Sequence, residues 1–449
     1  MGIRNLLAAA AIVFAASALH AADRYERTIR EMVTLPGGTG RVTIDHTFGS
    51  IKIHTTTGSE VNVHATVRAS DTDFGKQINV IATGRPGSVD IRTSYPEQHM
   101  HISGEFSYSV ELDVTVPENA LVTVHNRFGS IDATGLKGAS ELLGGQGSVV
   151  LRNAHGSQRI ENSFGTVDVE DVQGDLAITN ANGSVRAAKV RGSLSISDRF
   201  GSITVNDVGG DADIHGGNGS IDLQLVRGRA TVRNSFGSTR MAGVGRDLIF
   251  TGNNSRVDAS NVGGGANITT TFDSITVGNV TGPLRVSNSN GSVTVTDAKS
   301  NMAVDTRFAS VRADRVRGSA DVDNANGSVT LNDIGGDVKV HSSYASAFVK
   351  NAGGAVDIQN QNGAISVTGV RAGACHPITL NTTFSSIRLT LPGNANYDVS
   401  AHTSFGHIST EFPITTTTVG EDILNGRIGN GGCRLELKNG NGGITIGKE

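Results

Sequence analysis

Tryptophan is absent from this 449-residue sequence, and aromatic residues make up only 4% of it. Flat platforms on which a sugar ring could stack are therefore scarce, which argues against an enzyme that grips glycans in this way. Cysteine occurs only twice, at Cys375 and Cys433. A strong excess of charge is also missing. The formal charge is −4, or −5 without Arg4, which argues against nucleic acid and against polybasic docking on a membrane. Beyond residue 22, no run is long and apolar enough to span a bilayer as a helix.

What the sequence does contain is a period. Phe128, Phe164, Phe200, Phe236, Phe272, Phe308 and Tyr344 follow one another every 36 residues, and Gln146, Asn182, Asn218, Asn254, Asn290, Asn326 and Asn362 stand halfway between them. With the Phe or Asn position as offset zero, each 18-residue unit places glycine at offset 1 and near offset 10. Apolar residues fall at offsets 3 and 5 and again at 12 and 14, as in Val167, Val169, Leu176 and Ile178. That is strand alternation twice per unit, bounded by turn signals. Offset 7 is often Asn or Asp, as in Asn153, Asp171 and Asp207, and predicts a bend that re-aims the apolar residue at offset 8 inward. Glycine, at 58 of 449 residues, is nearly twice the average usage of about 7%, but its periodic placement marks turns and not disorder.

These features predict an all-β fold: a single-stranded parallel β-helix or β-solenoid with 18 residues per coil, each strand pairing with its copy in the next coil. The alternative is a 36-residue coil with Phe stacked on Phe; the shared glycine and apolar offsets of the two half-units favour 18. Stacked at ~4.8 Å per strand, the units from Phe128 to Asn362 form a rod of roughly 65 Å. Side-chain parity places the Phe/Asn position, and the Asn two residues before it (Asn162, Asn180, Asn234, Asn288, Asn324, Asn360), in the interior or at a corner. The repeated Phe128, Phe164, Phe200, Phe236, Phe272, Phe308 and Tyr344, with Asn182, Asn218, Asn290 and Asn326, are thus expected to be structural, the rings turned inward.

Four segments are expected. Residues 1–22, with Arg4 before an apolar stretch and Ala21 and Ala22 at its end, have the form of a secretory signal peptide, so the mature chain is expected to be exported to the periplasm, outer surface or exterior. Residues 23–127 form an irregular N-terminal β cap, 128–373 the regular solenoid and 374–449 irregular C-terminal coils. An oxidising compartment and an even cysteine count allow a disulfide between Cys375 and Cys433; two unpaired thiols are the alternative.

The starts FGSI and NGSV, the stretch YSVELDVTVP over Tyr108 to Pro117, the segment LPGNANYDVSAHTSFGHIST and the closing LELKNGNGGITI together resemble the bacterial "putative adhesin" family. This is a domain of unknown function, also described as the head domain of an auto-transporter adhesin. The resemblance covers nearly all of the mature chain. It implies an exported β-solenoid with an adhesin-like role and brings no catalytic residues with it.

Candidate chemistry elsewhere is weak. Residues Gly216 to Leu223 approach a calcium-binding nonapeptide, but the acid, Asp222, is one place late and other units hold Arg186, Thr204, Arg240 or Thr276 there. His99-Met100-His101 beside Glu97 and Glu105 could offer two metal ligands without a third, while His46, His54, His64 and His125 read as half-exposed strand residues. Arginine is scattered, and the Asn-Gly-Ser triplets at 182, 218, 290 and 326 follow from the repeat. The expectation is therefore a non-enzymatic, exported binding or scaffold protein without cofactor or metal, whose partner is another macromolecule or a surface glycan. A polysaccharide lyase or glycosidase of the parallel β-helix type is the alternative.

Overall fold

The computed structural model of the chain describes residues 25–96, 106–371 and 375–449; the leader at 1–22 and His99-Met100-His101 lie outside them. The chain winds as an all-β solenoid in which every regular strand pairs in parallel with the strands 18 residues before and after it. Val149–Ala154 pairs with Val167–Val172, and Gln158–Phe164 with Leu176–Asn182. Each coil thus adds one strand to each of two parallel ladders. A 36-residue coil is excluded by this register.

Alternation explains the core. The coil beginning at Phe164 buries Val167, Val169, Val172, Leu176 and Ile178, and the next buries Val185, Ala187, Val190, Leu194 and Ile196. Aliphatic branched residues fit a pleated strand buried on one face, and five of them per coil gain full burial only when both neighbouring coils are present. One ladder residue per coil breaks the alternation on the way. Asn153, Asp171, Lys189, Asp207, Asn261, Asn279, Asp297, Arg315, Asp333 and Asn351 all have φ between 52° and 62° and are skipped in the strand pairing. This left-handed residue forms the bend expected at offset 7 and turns the following residue, Val172 or Val208 for example, into the core. Asn and Asp tolerate such a conformation best, which explains their recurrence there.

Both ends of the stack are closed by antiparallel strands. At the first end Tyr25–Thr34 and Glu60–Ala69 pair antiparallel with each other, Glu60–Ala69 pairs antiparallel with Tyr108–Pro117, and the hairpin Asn79–Arg85 to Ser88–Ser94 flanks Arg41–Phe48. Phe74, Phe106, Tyr108, Tyr95 and Phe48 pack their rings together there, with centroids 4.8 to 5.6 Å apart. His46, expected to be half-exposed, is buried beneath this group, its Nδ1 2.9 Å from Thr93 Oγ1, and burial lowers its pKa to about 4.

At the second end the order in space departs from the order in sequence. Arg434–Asn439 inserts between Ile378–Thr382 and Tyr397–Thr403, pairing in parallel with both, and Tyr397–Thr403 is then covered by the antiparallel strands Ile423–Ile428 and Ile414–Val419. A disulfide joins Cys375 to Cys433 at a Cα separation of 5.2 Å and fixes the start of the inserted strand to the chain that leaves the regular coils.

The glycines at offset 1 are required by close stacking wherever they occur and, at several of them, by conformation as well. At Gly237 φ is +113°, which favours glycine, but Gly219 has no such angle; a Cβ there would instead lie 1.9 Å from the carbonyl oxygen of Gly201 in the adjacent coil. Substituting Gly219 by Val therefore forces coils apart, and we expect a loss of about 2–3 kcal/mol or more in denaturant unfolding. Gly58→Ala, whose added Cβ meets nothing closer than 3.5 Å, serves as the control with little change.

Candidate functional site: an exposed aromatic and amide ridge

The two ladders meet at a corner where the strand of offsets 12 to 18 ends. Just before that corner, at offset 16, stands a column of buried polar side chains: Asn126, Asn162, Asn180, Asp198, Asn234, Thr270, Asn288, Thr306, Asn324, Ser342 and Asn360. Their task is visible in the hydrogen bonds. Asn324 Nδ2 donates to the carbonyls of Ala309 and Gly327 at 2.9 and 2.7 Å, Asn288 Nδ2 to Asp273 and Gly291 at 3.0 and 3.2 Å, and Asn162 Nδ2 to Gly147 and Gly165 at 3.2 and 3.3 Å. Each carboxamide bridges the turn of its own coil to the turn of the coil before. Thr270 substitutes a hydroxyl bonded to the carbonyls of Asn253 and Phe272.

Asp198 is the exception in this column. It is 3% exposed, its Oδ1 lies 3.5 Å from Asn180 Nδ2, and its Oδ2 has no partner. Burial pushes its carboxyl up to about 6, against the smaller opposing effect of hydrogen bonds from Phe200, Arg199 and Asn180.

The residue two places on, at the corner itself, faces solvent. This corrects the expectation of inward rings. Phe164, Phe200, Phe236, Phe272, Phe308 and Tyr344 are 48–64% exposed, and Phe128 is half-buried, stacked at 5.1 Å on Phe48. The reason is local: the residue between the buried Asn and the ring, Ser163 or Ala181 for example, makes no ladder pair. The chain bends there and parity is lost. Counting in twos through that bend assigned the rings to the wrong side.

The result is a ridge along the rod. Strand register places Phe164 beside Asn182, Asn182 beside Phe200 and Phe200 beside Asn218, and the same alternation continues through Phe236, Asn254, Phe272, Asn290 and Phe308. Asn218, Asn254 and Gln146 are exposed, and Asn182, Asn290 and Asn326 half-buried. The ridge also runs through the rearranged end. Backbone bonds from Phe384 to Gln361, Asn441 to Thr383 and Phe405 to Gly440 set Asn362, Phe384, Asn441 and Phe405 in order. The rings of Phe384 and Phe405 are 61% and 79% exposed. Asn441 was not singled out from sequence, because only the strand insertion brings it between two rings; the NGNGG run around it was the available signal.

From Phe128 to Phe405 the ridge extends roughly 75 Å, with rings about 9.5 Å apart, two strand spacings. Beside it runs a column of serines, among them Ser184, Ser220, Ser238, Ser292, Ser310 and Ser328, all exposed. Among the residues directly flanking the corner positions the only carboxylate is Asp273, and Arg127, Arg199 and Arg307 each precede a ring.

The opposite, left-handed corner is charged and internally paired. Arg315 donates to both carboxylate oxygens of Asp297 at 2.7 and 2.8 Å and holds that carboxyl below its usual range. A shallow cavity of about 530 Å³ lies there, lined by Lys299, Arg317, Asp333 and Arg371. Among the described residues no three His, Cys, Asp or Glu side chains converge as metal ligands, and the near-calcium motif is occupied by a contact of Asp222 with Gln224 Nε2 at 3.1 Å. No described helix is long and apolar enough to cross a membrane.

Residues 248–447 match the family model described as Toastrack DUF4097, a range that begins within the regular coils and takes in the rearranged end. Among solved structures the chain is similar to a putative cell adhesion protein from Clostridium sporogenes ATCC 15579, at 8% identity over 94% of this chain and 100% of that one, with a TM-score of 0.16. No curated protein matches.

Two stability outcomes follow from the corner. Phe236→Ala removes a ring that touches little, and we expect a cost below about 1 kcal/mol, whereas Phe250→Ala removes a ring that is 1% exposed and should cost about 3–5 kcal/mol; chemical unfolding of the two variants checks this. Asp198 is disfavoured as an anion only in the folded state. Its folded pKa exceeds the unfolded one, so stability is full below about pH 4 and is lost as pH rises through about 6. Asp198→Asn should therefore stabilise by up to about 3 kcal/mol at pH 7 to 8, with the gain vanishing near pH 4 in thermal melts.

Proposed function

We propose that this chain is a non-enzymatic, adhesin-like binding rod of the cell envelope or surface, which engages another macromolecule or a surface glycan through the aromatic and amide ridge. The observation that carries this reading is the solvent exposure of a whole column of rings. Core packing does not use them, and a long exposed row of apolar side chains marks an interaction site. The ridge supplies contact area distributed along the rod. It offers no pair of facing carboxylates for glycoside hydrolysis, which would have to stand within about 5 to 9.5 Å of one another, since Asp273 alone adjoins it.

Export by the leader at 1–22 belongs to the same reading, as does the absence of a required cofactor. Weak contacts repeated on one rigid body add as avidity, so affinity should depend on the number of rings engaged.

The test uses the purified mature protein and co-sedimentation with bacterial envelopes and with extracted extracellular polysaccharide. A Phe200→Ala/Phe236→Ala/Phe272→Ala variant should stay folded, losing less than about 3 kcal/mol of stability, and lose at least about tenfold in binding, three contacts at ~0.5–1.5 kcal/mol each. Unchanged binding by that variant would remove the ridge from the function. Release of reducing ends from a polysaccharide, abolished by a single Asp or Arg substitution in a folded protein, would establish an enzyme instead.

A further inference from the structure

Resting on the ridge as the binding surface, we infer that its ligand is an extended, neutral β-1,4-linked polysaccharide lying along the rod, one disaccharide for every two coils. The spacing comes first. In a β-1,4-linked chain each sugar is flipped relative to the last, so the same pyranose face recurs at every second residue. That interval is close to two strand spacings, the roughly 9.5 Å between rings. Neighbouring rings such as Phe200, Phe236 and Phe272 can then each stack on a like face. An α-1,4-linked glucan coils and loses step after a ring or two.

The chemistry between the rings fits the same polymer. At the half-interval stand Asn182, Asn218, Asn254, Asn290 and Asn326, whose amides both donate and accept, and alongside run exposed hydroxyls such as Ser184, Ser220 and Ser292. No hydrogen bond of the Asn218, Asn254, Asn290 or Asn326 side chain to another described residue occupies these amides, whereas Asn182 and Asn362 use theirs on Ser163 and Ser343 carbonyls at 3.3 and 3.1 Å. Amide, hydroxyl and apolar ring, with one flanking carboxylate and three scattered arginines, complement a ligand of hydroxyl or acetamido groups and not a polyanion or a polycation.

A second copy of this chain fits less well. The eight exposed rings from Phe164 to Phe405, each 48–79% accessible, offer roughly 700–1,200 Å² in all, at about 150–250 Å² per aromatic side chain. That area is broken by an amide at every other coil and spread over some 70 Å of a convex edge, whereas a stable interface gathers about 800 Å² per partner into one packed patch.

The experiment separates period from area. Binding to microcrystalline cellulose and to chitin is measured by depletion, with amylose as the α-linked control, and binding of cello- and chito-oligosaccharides of increasing length by calorimetry; the two series distinguish a glucan from an acetamido polymer. Expected are retention on at least one β-1,4-linked solid, none on amylose, and at least tenfold tighter binding of a hexasaccharide than of a trisaccharide.

Two deletions then test the register. Removing one coil, 218–235, deletes no ring but sets Phe200 beside Phe236. Removing two, 236–271, deletes a ring but preserves the alternation. The one-coil deletion should weaken binding more than the two-coil deletion, with unfolding curves confirming that both fold. If either fails to fold, Asn218→Phe in the full-length chain breaks the same alternation without altering the coil count and should weaken binding. The opposite order, or equal binding to amylose, overturns the inference.

Failure of both β-1,4-linked solids, with ridge-dependent binding to envelopes intact, overturns the ligand class and leaves the binding rod standing. Loss of a wild-type dimer in the triple ring variant, seen by light scattering, assigns the ridge to self-association and overturns the inference.

Discussion

The corner of this rod is tight enough to leave turn carbonyls aimed at the buried side, and where the column there holds Asn the carboxamide satisfies them, whereas Gly144, Gly216 and Gly252 bring no side chain to it. Asn324 bridging Ala309 and Gly327, and Asn288 bridging Asp273 and Gly291, tie each turn to its predecessor. An unpaired carbonyl buried among Val and Ile side chains would cost about 1–3 kcal/mol at each corner the carboxamide serves, in a stack whose coils gain stability only from their neighbours. The carboxamide therefore sets both the turn and the vertical register. Glycine at the next position but two lets the turns approach closely enough for one amide to reach both, which is why a Cβ at Gly219 has no room. The column tolerates Thr270, whose hydroxyl reaches the carbonyls of Asn253 and Phe272, and tolerates Asp198 only by raising its pKa.

The sequence carried most of this frame. The 18-residue coil, the inward residues at offsets 3, 5, 8, 12 and 14, and the bend at offset 7 are all local patterns, and local patterns survive in a fold where each residue's neighbours are its own equivalents one coil away. The orientation of the rings was not legible. It depends on whether the chain stays extended between Asn162 and Phe164, and nothing in the side chains of Ser163 or Ala181 announces the break. The rearranged end was illegible for a different reason: the spacings to Phe384 and Phe405 drift, and a one-dimensional count cannot show that Arg434–Asn439 enters between two earlier strands. Cys375 and Cys433 were visible as a pair of the right number, and the structure joins them.

Alternation of ring and amide at the corner is not demanded by the fold. Both side chains project outward from the same backbone position, Asn254 or Phe272 fitting equally over the same turn, and neither fills core space. A pattern that the interior does not enforce, yet which persists through Asn441 and Phe405 after sequence order has been scrambled, belongs to the outside of the molecule. The candidate site is thus an arithmetic property of the surface, and its residues were found from sequence for a structural reason that turned out not to be theirs.

The inserted strand at the second end has a consequence for the order in which the protein can be completed. Regular coils can add one after another in sequence order, each docking on the last. Tyr397–Thr403 cannot, because the surface it needs is Arg434–Asn439, which is synthesised later. The closing strands Ile414–Val419 and Ile423–Ile428 must wait with it, leaving the edge of Ile378–Thr382 open until the final rung slides in. The far end of the rod is thus closed by interlock: a chain halted before residue 434 keeps an unprotected parallel edge.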